Sequence, residues 1–197
     1  MANWCMTKII IKHDNENKLK QLEEFINEWA SKNYMENDFG IEWLGNIVGN
    51  SGIGTVDENP ETDLKCRGSL ISMEYDENQL FIDTETAGEP IVKMWNKLLE
   101  KYLPDAELIY LAMEHDNEIY STNDLSLKNH YIIDSCVSIN TKSHMRASEK
   151  IVRETLQKVL DTTETDIAKL IKLLNDSEFS NELFVHKWNY DDVSAWE

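Results

Sequence analysis

The chain has 197 residues, 41% of them hydrophobic, which suits one domain with a buried core or a core domain with an appendage. Its net charge is −18, and most of it lies in residues 1–140, which hold 11 basic and 26 acidic side chains against 8 and 11 in residues 141–197. This acidic excess disfavours direct binding to nucleic-acid phosphates or anionic lipid and favours basic partners or cations, although solubility alone would also account for it.

The cysteine and hydropathy patterns bear on cofactors and compartment. Cys5, Cys66 and Cys136 are far apart and form no C-x-x-C pair, so we expect no zinc site, iron–sulfur cluster or other cofactor. Scattered thiols without a signal peptide predict a reducing, cytoplasmic environment. No apolar run approaches the roughly 20 residues that a membrane span needs, so we expect no membrane association.

The N-terminal segment predicts a strand followed by a helix. Residues 7–12 are dense in β-branched side chains, which favours a strand over residues 1–13. His13-Asp14-Asn15 is typical of a turn and helix cap, and a helix is predicted from Asn15 to about Lys32. Its inward face would carry the apolar residues that recur at helical spacing, Leu19, Leu22, Phe25, Ile26 and Trp29.

Residues 33–66 are the least regular part of the sequence. The glycine-rich stretch over residues 49–54 resembles a phosphate-binding loop, but no Gly-Lys-Ser/Thr closes it and no helix is predicted after it. We therefore interpret it as a surface loop. An acidic segment follows over residues 57–63, in which Asp57 and Glu58 are further candidate binding residues.

The middle of the chain predicts a β-hairpin, a helix and a returning strand. Alternating apolar residues over 70–75 and 79–84 flank the turn Asp76-Glu77-Asn78-Gln79. A helix is predicted to begin at Pro90 and to end at Leu103-Pro104. Strands over 108–113 and 118–121 would pair across the turn that joins them, and residues 131–139 form the last predicted strand.

Beyond about residue 143 the periodicity becomes helical. We predict a helix over residues 148–160, a second helix capped within residues 162–165, and a short third helix over residues 180–188. A DNA-reading helix-turn-helix is disfavoured because the second helix offers only Lys169 and Lys172 for base contacts. A helical hairpin is the simpler interpretation.

The predicted order strand–helix–strand–strand–helix–strand is that of a split βαβ unit. The fold class is therefore α+β, with a ferredoxin-like antiparallel sheet, two helices on one face and a C-terminal helical extension. The ferredoxin-like domain would span residues 1–140 and the extension residues 141–197. The opening strand is expected to lie beside both the hairpin and the returning strand.

Six short blocks carry a resemblance to a known family: Met1-Ala2-Asn3-Trp4-Cys5, Trp43-Leu44-Gly45-Asn46, Cys66-Arg67-Gly68-Ser69, Asp83-Thr84-Glu85-Thr86-Ala87, Thr122-Asn123-Asp124 and Tyr131-Ile132-Ile133-Asp134. As a set they resemble the YubB-type ferredoxin-like family, uncharacterised proteins of bacteria, prophages and plasmids. The resemblance covers roughly residues 1–140 and implies the fold and a mobile-element setting. The chain departs from the family pattern at Gly88, where members often carry an aromatic residue. The family brings no activity, ligand or catalytic residues.

The densest candidate for chemistry is the segment that contains Glu114, Asp116 and Glu118. Its carboxylates would hold a divalent cation if the strand stays straight, whereas an exposed polar turn is the simpler interpretation. Asp83 and Glu85 alternate in a neighbouring strand and should point the same way. If Glu114 lies across from either, the two carboxylates would be able to share a proton or an ion.

Three functional hypotheses remain open from the sequence. The favoured one is a non-enzymatic acidic protein that binds a basic surface of a nucleic-acid-handling protein, for instance as an anti-defence, anti-CRISPR-like inhibitor. The second is a small metal-dependent hydrolase or nucleotide-binding enzyme that uses Glu114, Asp116, Glu118 and Asp83, with residues 49–54 as a lid. The third is a structural module or homodimer that associates through a sheet face or edge. No catalytic residue is assigned, and the identity of any metal is left open.

Overall fold

The computed structural model describes residues 3–35, 39–56, 64, 66–116, 118–136 and 141–191. The protein is a mixed α/β protein whose chain divides into two units, Met1–Ser121 and Thr122–Glu197. The described residues form five α-helices and two β-sheets. Of the helices described, none combines the length and the apolar character that crossing a membrane requires.

The first unit begins with the predicted strand and helix and contains the predicted hairpin. Its elements are, in chain order, β1 (Trp4–Lys12), α1 (Glu16–Ala30), α2 (Leu44–Ser51), β2 (Gly68–Asp76), β3 (Gln79–Ala87), α3 (Val92–Tyr102), β4 (Glu107–Glu114) and β5 (Ile119–Thr122). These strands lie in the order β2-β3-β1-β4-β5, and β1 pairs antiparallel with both β3 and β4. The prediction that the opening strand lies beside the hairpin and the returning strand is therefore confirmed.

Burial alternates along β1 and defines two faces of this sheet. Cys5, Thr7, Ile9 and Ile11 are buried on the side that we call the inner face, whereas the intervening residues are exposed or half-buried on the outer face. Helix α1 packs against β2 and β3, and α3 packs against β4. Helices thus cover the inner face. The outer face meets solvent along β1, whereas on β4 the outward residues Ile109 and Leu111 are buried.

The glycine-rich stretch over residues 49–54 is not a loop throughout, as the sequence suggested. Helix α2 runs through Ser51, and Gly52 ends it in the left-handed conformation with φ 64°. Gly49 lies inside the helix, and no larger residue fits there, because the ring of Tyr34 occupies the space that a Cβ atom would need. The ammonium group of Lys101 in α3 donates to the terminal carbonyl of Ser51, at 2.7 Å, which satisfies the end of α2.

Helix α3 begins two residues later than predicted, at Val92, with Ile91 as the N-cap residue. The preceding chain stays tied to the sheet, because the hydroxyl of Thr86 donates to the carbonyl of Glu89 at 2.7 Å. The amide of Gly88 also donates to the carbonyl of Asn3, at 2.8 Å. Pro90 therefore lies in the connection and not in the first helical turn.

An extra segment pairs with the open side of β2. Trp43 forms an antiparallel bridge with Ser69, and the amide of Leu70 donates to the carbonyl of Glu42 at 2.8 Å. Immediately after this point, the register of β2 against β3 shifts between Leu70 and Ser72, which is the mark of a β-bulge. The first part of β2 is therefore paired on both sides.

The second unit is not purely helical, which corrects the prediction for residues 141–197. Its elements are β6 (Tyr131–Ser135), β7 (His144–Ala147), α4 (Glu149–Leu160), α5 (Ile167–Asn175), β8 (Leu183–Lys187) and β9 (Asn189–Tyr190). Strand β6 pairs antiparallel with β7 and with β8 in a sheet of its own. Apolar residues of α4 and α5 form one buried cluster with the strand residues Tyr131, Ile133, Ala147, Leu183 and Val185.

Two predictions in this region were wrong in detail. Residues 131–139 are not the last strand, because three further strands follow β6. Residues 180–188 do not form a helix: a 3₁₀ turn over Glu178–Asn181 leads into β8, where Val185 pairs with Ile133. The helices predicted near residues 148–160 and after residue 165 are confirmed, although Asp166, and not a residue of 162–165, caps α5.

Candidate functional site

The predicted acidic residues lie on opposite faces of the first sheet. In the register of β1 and β3, Asp83 is opposite Lys8 and Glu85 is opposite Met6, which places both carboxylates on the outer face. Glu114 ends β4 and is buried, with a side chain 3% exposed, and β1 separates β4 from β3. The condition under which Glu114 would share a proton or an ion with Asp83 or Glu85 is therefore not met, because Glu114 points to the inner face and its strand is not a neighbour of β3.

The side chain of Glu114 stabilises the turn that follows β4. Its Oε1 atom accepts a hydrogen bond from the amide of Asp116 at 2.8 Å. The chain then reverses, so Asp116 and Glu118 are exposed in the turn, with Glu118 at φ 55°. The straight strand that a shared cation site would have required is not formed. Asp57 and Glu58 lie outside the described residues.

The arrangement on which the enzyme hypothesis depended is thus not assembled. Across residues 3–35, 39–56, 64, 66–116, 118–136 and 141–191, no group of three or more His, Cys, Asp or Glu side chains is placed to hold a metal ion. Residues 49–54 contribute to the end of α2 and do not form a lid over Glu114. Of the predicted acidic residues, Asp83 and Glu85 remain together, and both lie on the outer face.

An open depression on the outer face brings together charged residues from three strands. Its volume is about 260 Å³, and it is lined by Lys8 of β1, by Ser72, Glu74 and Asp76 of β2, and by Phe81 and Asp83 of β3. Three carboxylates and one ammonium group therefore surround a half-buried aromatic ring. The electrostatic balance of the depression favours a cation.

Two contacts hold Asp83 in place within the depression. The ammonium group of Lys8 lies 3.7 Å from Oδ1, and the hydroxyl of Ser72 donates to Oδ2 at 2.8 Å. Both side chains of the ion pair are partly exposed, so the pair adds little to stability but orients the carboxylate. Glu74 is opposite Phe81 and Asp76 is opposite Gln79, which places both of these carboxylates on the same face as Asp83.

Large apolar side chains lie further along the same face. Trp4 and Met6 precede Lys8 in β1 and share its outward direction, and they are 49% and 41% exposed. Residues of this size are usually more buried on a sheet. The outer face thus has an apolar end at Trp4 and Met6 and an acidic end at the depression.

Of the six residues that line the depression, only Asp83 was predicted from the sequence to be a site residue. The signal for the others was present in the hairpin, because the turn at Glu77-Asn78 and the period of two place Ser72, Glu74, Asp76, Phe81 and Asp83 on one face. The contribution of Lys8 depends on the pairing of β1 with β3, which joins segments about 75 residues apart in the chain.

Comparison with known proteins gives no family assignment. No protein-family model matches the sequence, and no curated protein matches it either. The function must therefore be argued from the surface itself.

The cysteine thiols should differ sharply in reactivity. Burial raises the pKa of the Cys5 thiol, against the lowering effect of its hydrogen bond with Thr7, and the neighbouring carboxylate of Glu114 raises it further. Cys66 is also buried, whereas Cys136 is exposed. Because the thiolate is the reactive form, we expect a chromogenic disulfide reagent to modify one thiol rapidly in the native protein and all three after unfolding.

The matched control is Cys136→Ser, which should abolish the rapid phase at neutral pH and leave the two slow thiols. The raised pKa of Cys5 also makes the free energy of unfolding depend on pH. Because the folded state holds the thiol proton more tightly than the unfolded state does, the stability that this provides is lost as the pH rises from the usual thiol value through the raised one. Rapid modification of Cys5 in native Cys136→Ser protein at neutral pH would contradict this assignment.

Proposed function

We propose that this protein is a non-enzymatic binding protein whose acidic sheet face engages a basic surface of a nucleic-acid-handling protein. The observation that carries the proposal is the depression on the outer face, where Glu74, Asp76 and Asp83 surround Phe81 with Lys8 as the one cationic lining residue. Helices cover the inner face of the same sheet, and the residues around the depression are exposed or half-buried.

The charge of the whole chain supports the same partner. A net charge of −18 creates a field that attracts a cationic surface over about a Debye length, roughly 10 Å at 0.1 M salt. Proteins that handle nucleic acids carry such cationic surfaces because they must neutralise phosphates. An acidic face opposite such a surface would compete with nucleic acid for the same lysine and arginine side chains.

The strand order supports the family expectation as part of this proposal. The order β2-β3-β1-β4, with three antiparallel pairings and with α1 and α3 in the connections, has the connectivity of a ferredoxin-like unit. Together with the resemblance to YubB-type proteins of prophages and plasmids, this favours a mobile-element protein that acts in the bacterial cytoplasm. Inhibition of a bacterial immune nuclease is the concrete form that we propose.

The test compares three forms of the full-length chain in affinity purification from a bacterial lysate. The variant Glu74→Gln/Asp76→Asn/Asp83→Asn removes the carboxylates of the depression. The control Glu24→Gln/Glu100→Gln/Asp105→Asn removes three exposed carboxylates from elsewhere in the first unit, so both variants have the same net charge. Bound proteins are identified by mass spectrometry at about 0.1 M and about 1 M salt, where the screening length falls from roughly 10 Å to about 3 Å.

We expect the wild type and the control to retain a basic nucleic-acid-handling protein at low salt and to release it at high salt. The depression variant should lose that protein at both salt concentrations. Recovery of the same proteins by all three forms would show that total charge, and not this face, attracts them. Failure to recover any basic protein with the wild type would overturn the proposal.

A further inference from the structure

We propose that the outer face binds an amphipathic helix of the partner, with an apolar side chain of that helix on Trp4 and Met6 and a lysine or arginine side chain in the depression. This inference rests on the proposed function and specifies the form of the partner. It is drawn from the arrangement of an apolar end and an acidic end on the part of the outer face that β1, β2 and β3 form; on β4 the outward residues Ile109 and Leu111 are buried.

The two ends have a definite separation along β1. Trp4 is opposite Ala87, Met6 is opposite Glu85 and Lys8 is opposite Asp83, so the outward side chains proceed from apolar to charged in steps of two residues. With a rise of about 3.3 Å per residue, Trp4 lies roughly 13 Å from the level of Lys8 and Asp83. A ligand that uses both ends must present its apolar and cationic groups at a similar spacing.

The apolar end supplies an anchor of the kind that dominates protein interfaces. Trp4 and Met6 are adjacent outward residues of one strand, and about half of the Trp4 surface is open to solvent. Removing such surface from water is favourable by about 25 cal/mol for each Å². Tryptophan is also enriched among the few residues that contribute most of the energy of an interface.

The acidic end is shaped for a long cationic side chain. The depression of about 260 Å³ offers the ring of Phe81 to an aliphatic stem and the carboxylates of Glu74, Asp76 and Asp83 to a charged terminus. Lysine and arginine combine these two features, since their methylene groups pack on apolar surface while the charge remains near polar groups. A cation over an aromatic ring is favoured as well.

A helix suits this face better than an extended segment does. The backbone groups of β1 already pair with β3 and β4, so a strand lying on the face would find no backbone partners there. A helix satisfies its own backbone hydrogen bonds and rises about 1.5 Å per residue, so 13 Å corresponds to about nine residues. Residues seven or eight apart lie on the same side of a helix and are about 10 to 12 Å apart along its axis. The length of a lysine or arginine side chain covers the remaining distance to the acidic end.

Charge argues against a second copy of this chain as the occupant. A two-fold dimer through this face would oppose the same surface on both subunits. Each copy carries a net charge of −18, and the carboxylates of the two depressions would lie in one interface. A cationic helix is attracted by these carboxylates, whereas a second copy of the chain is repelled by them.

The experiment uses the full chain and a helix-forming peptide of about 18 residues as the probe. The first peptide carries a leucine and, eight residues along, an arginine, in an alanine and glutamine background. A second peptide has glutamate in place of the arginine, and a third has alanine in place of the leucine. Binding is measured by fluorescence anisotropy for the wild type, Trp4→Ala and Glu74→Gln/Asp83→Asn, with circular dichroism as the check that each variant is folded. Asp83 is level with Lys8, and Glu74 is the next carboxylate of the depression along the strands.

Leu173→Ala is the matched control for Trp4→Ala, because Leu173 is a similarly exposed apolar residue, at 45%, on α5. We expect the wild type and this control to bind the first peptide with equal Kd, and Trp4→Ala and the carboxylate variant each to bind it about tenfold more weakly. Trp4→Ala should have no effect on the weaker binding of the third peptide. For the second peptide, which carries glutamate in place of the arginine, the carboxylate variant should bind at least as tightly as the wild type, because it lacks the like charges that repel the glutamate.

Equal affinity of Trp4→Ala and wild type for the first peptide would overturn the inference, as would the lack of saturable binding. In either case the lysate experiment decides the proposed function separately, because it depends on the carboxylates and not on Trp4. A dimer in sedimentation equilibrium that Trp4→Ala abolishes would assign the face to a second copy and would also overturn the inference.

Discussion

Replacement of Trp95 by alanine is expected to lower the free energy of unfolding by about 3–5 kcal/mol. Trp95 lies on the inward side of α3 with Met94, Leu98 and Leu99, and only 1% of its surface is exposed. The substitution removes the apolar contacts of the indole ring and leaves a cavity that the surrounding helices and strands can close only in part. Urea denaturation followed by far-ultraviolet circular dichroism measures the loss without depending on the fluorescence of the deleted ring.

Trp4→Ala provides the comparison within the same chain. The same side chain is deleted, but at a position where 49% of it is exposed, so we expect a loss below about 1 kcal/mol. The contrast separates the effect of burial from the effect of the residue type. Equal losses for Trp4→Ala and Trp95→Ala would mean that Trp4 is covered by other residues, and would also count against its role on the outer face.

Gly68→Ala is the second substitution with a large expected effect, about 2–3 kcal/mol of destabilisation. Gly68 pairs with Thr86 at the start of β2. An added Cβ atom would overlap the carbonyl oxygen of Glu85 and lie 2.8 Å from the Cα atom of Thr86, and backbone atoms have little freedom to move. Thr86 is further held by its hydroxyl, which donates to the carbonyl of Glu89 at 2.7 Å and lies 3.3 Å from the carbonyl of Cys5.

Gly54→Ala is the control for Gly68→Ala. The new methyl group would meet only side-chain atoms of Leu64 and Val48, the nearest at 3.2 Å, and these can shift at low cost. Chemical denaturation of both variants should therefore show a clear loss for Gly68→Ala and a small change for Gly54→Ala. A near-neutral Gly68→Ala would indicate that β2 and β3 are less closely paired than the structure shows.

Elements that depend on local patterns were predictable from the sequence. The hairpin of β2 and β3 is confirmed because alternating side chains and a two-residue turn determine it together. Helix α1 follows from its regular apolar spacing and from Asn15, whose side chain accepts the amide hydrogens of Asn17 and Lys18. These signals lie within a few residues of the structure that they specify.

Elements that depend on distant partners were not predictable in the same way. Gly49 suggested a loop because glycine is unfavourable inside a helix. The reason for a glycine at this helical position is the ring of Tyr34, fifteen residues earlier in the chain, which leaves no room for a Cβ atom. The short apolar segment of β8 is compatible with either helix or strand, and its pairing with β6, about fifty residues away, decides between them. The segment before α3 is likewise tied to a distant part of the chain, because the amide of Gly88 donates to the carbonyl of Asn3, and no local pattern predicts this contact.

The candidate site shows the same division. Strand alternation predicted that Asp83 and Glu85 point the same way, and the register with β1 places both of them on the outer face. The position of Glu114 was not predicted, because which strands are neighbours depends on the order of the whole sheet. The depression itself became visible only when Lys8 was brought beside the hairpin.

The bridge between Trp43 and Ser69 bears on how the protein behaves at high concentration. A strand at the border of a sheet exposes unpaired amides and carbonyls that recruit strands of other molecules and so promote fibrous aggregates. Here the amide of Leu70 donates to the carbonyl of Glu42, so it is not available to another strand. The bulge that follows interrupts the regular spacing that a further strand would need in order to pair with the remainder of β2. The molecule can thus keep the part of its outer face over β1, β2 and β3 available to a partner without offering the adjoining border as a template for uncontrolled growth.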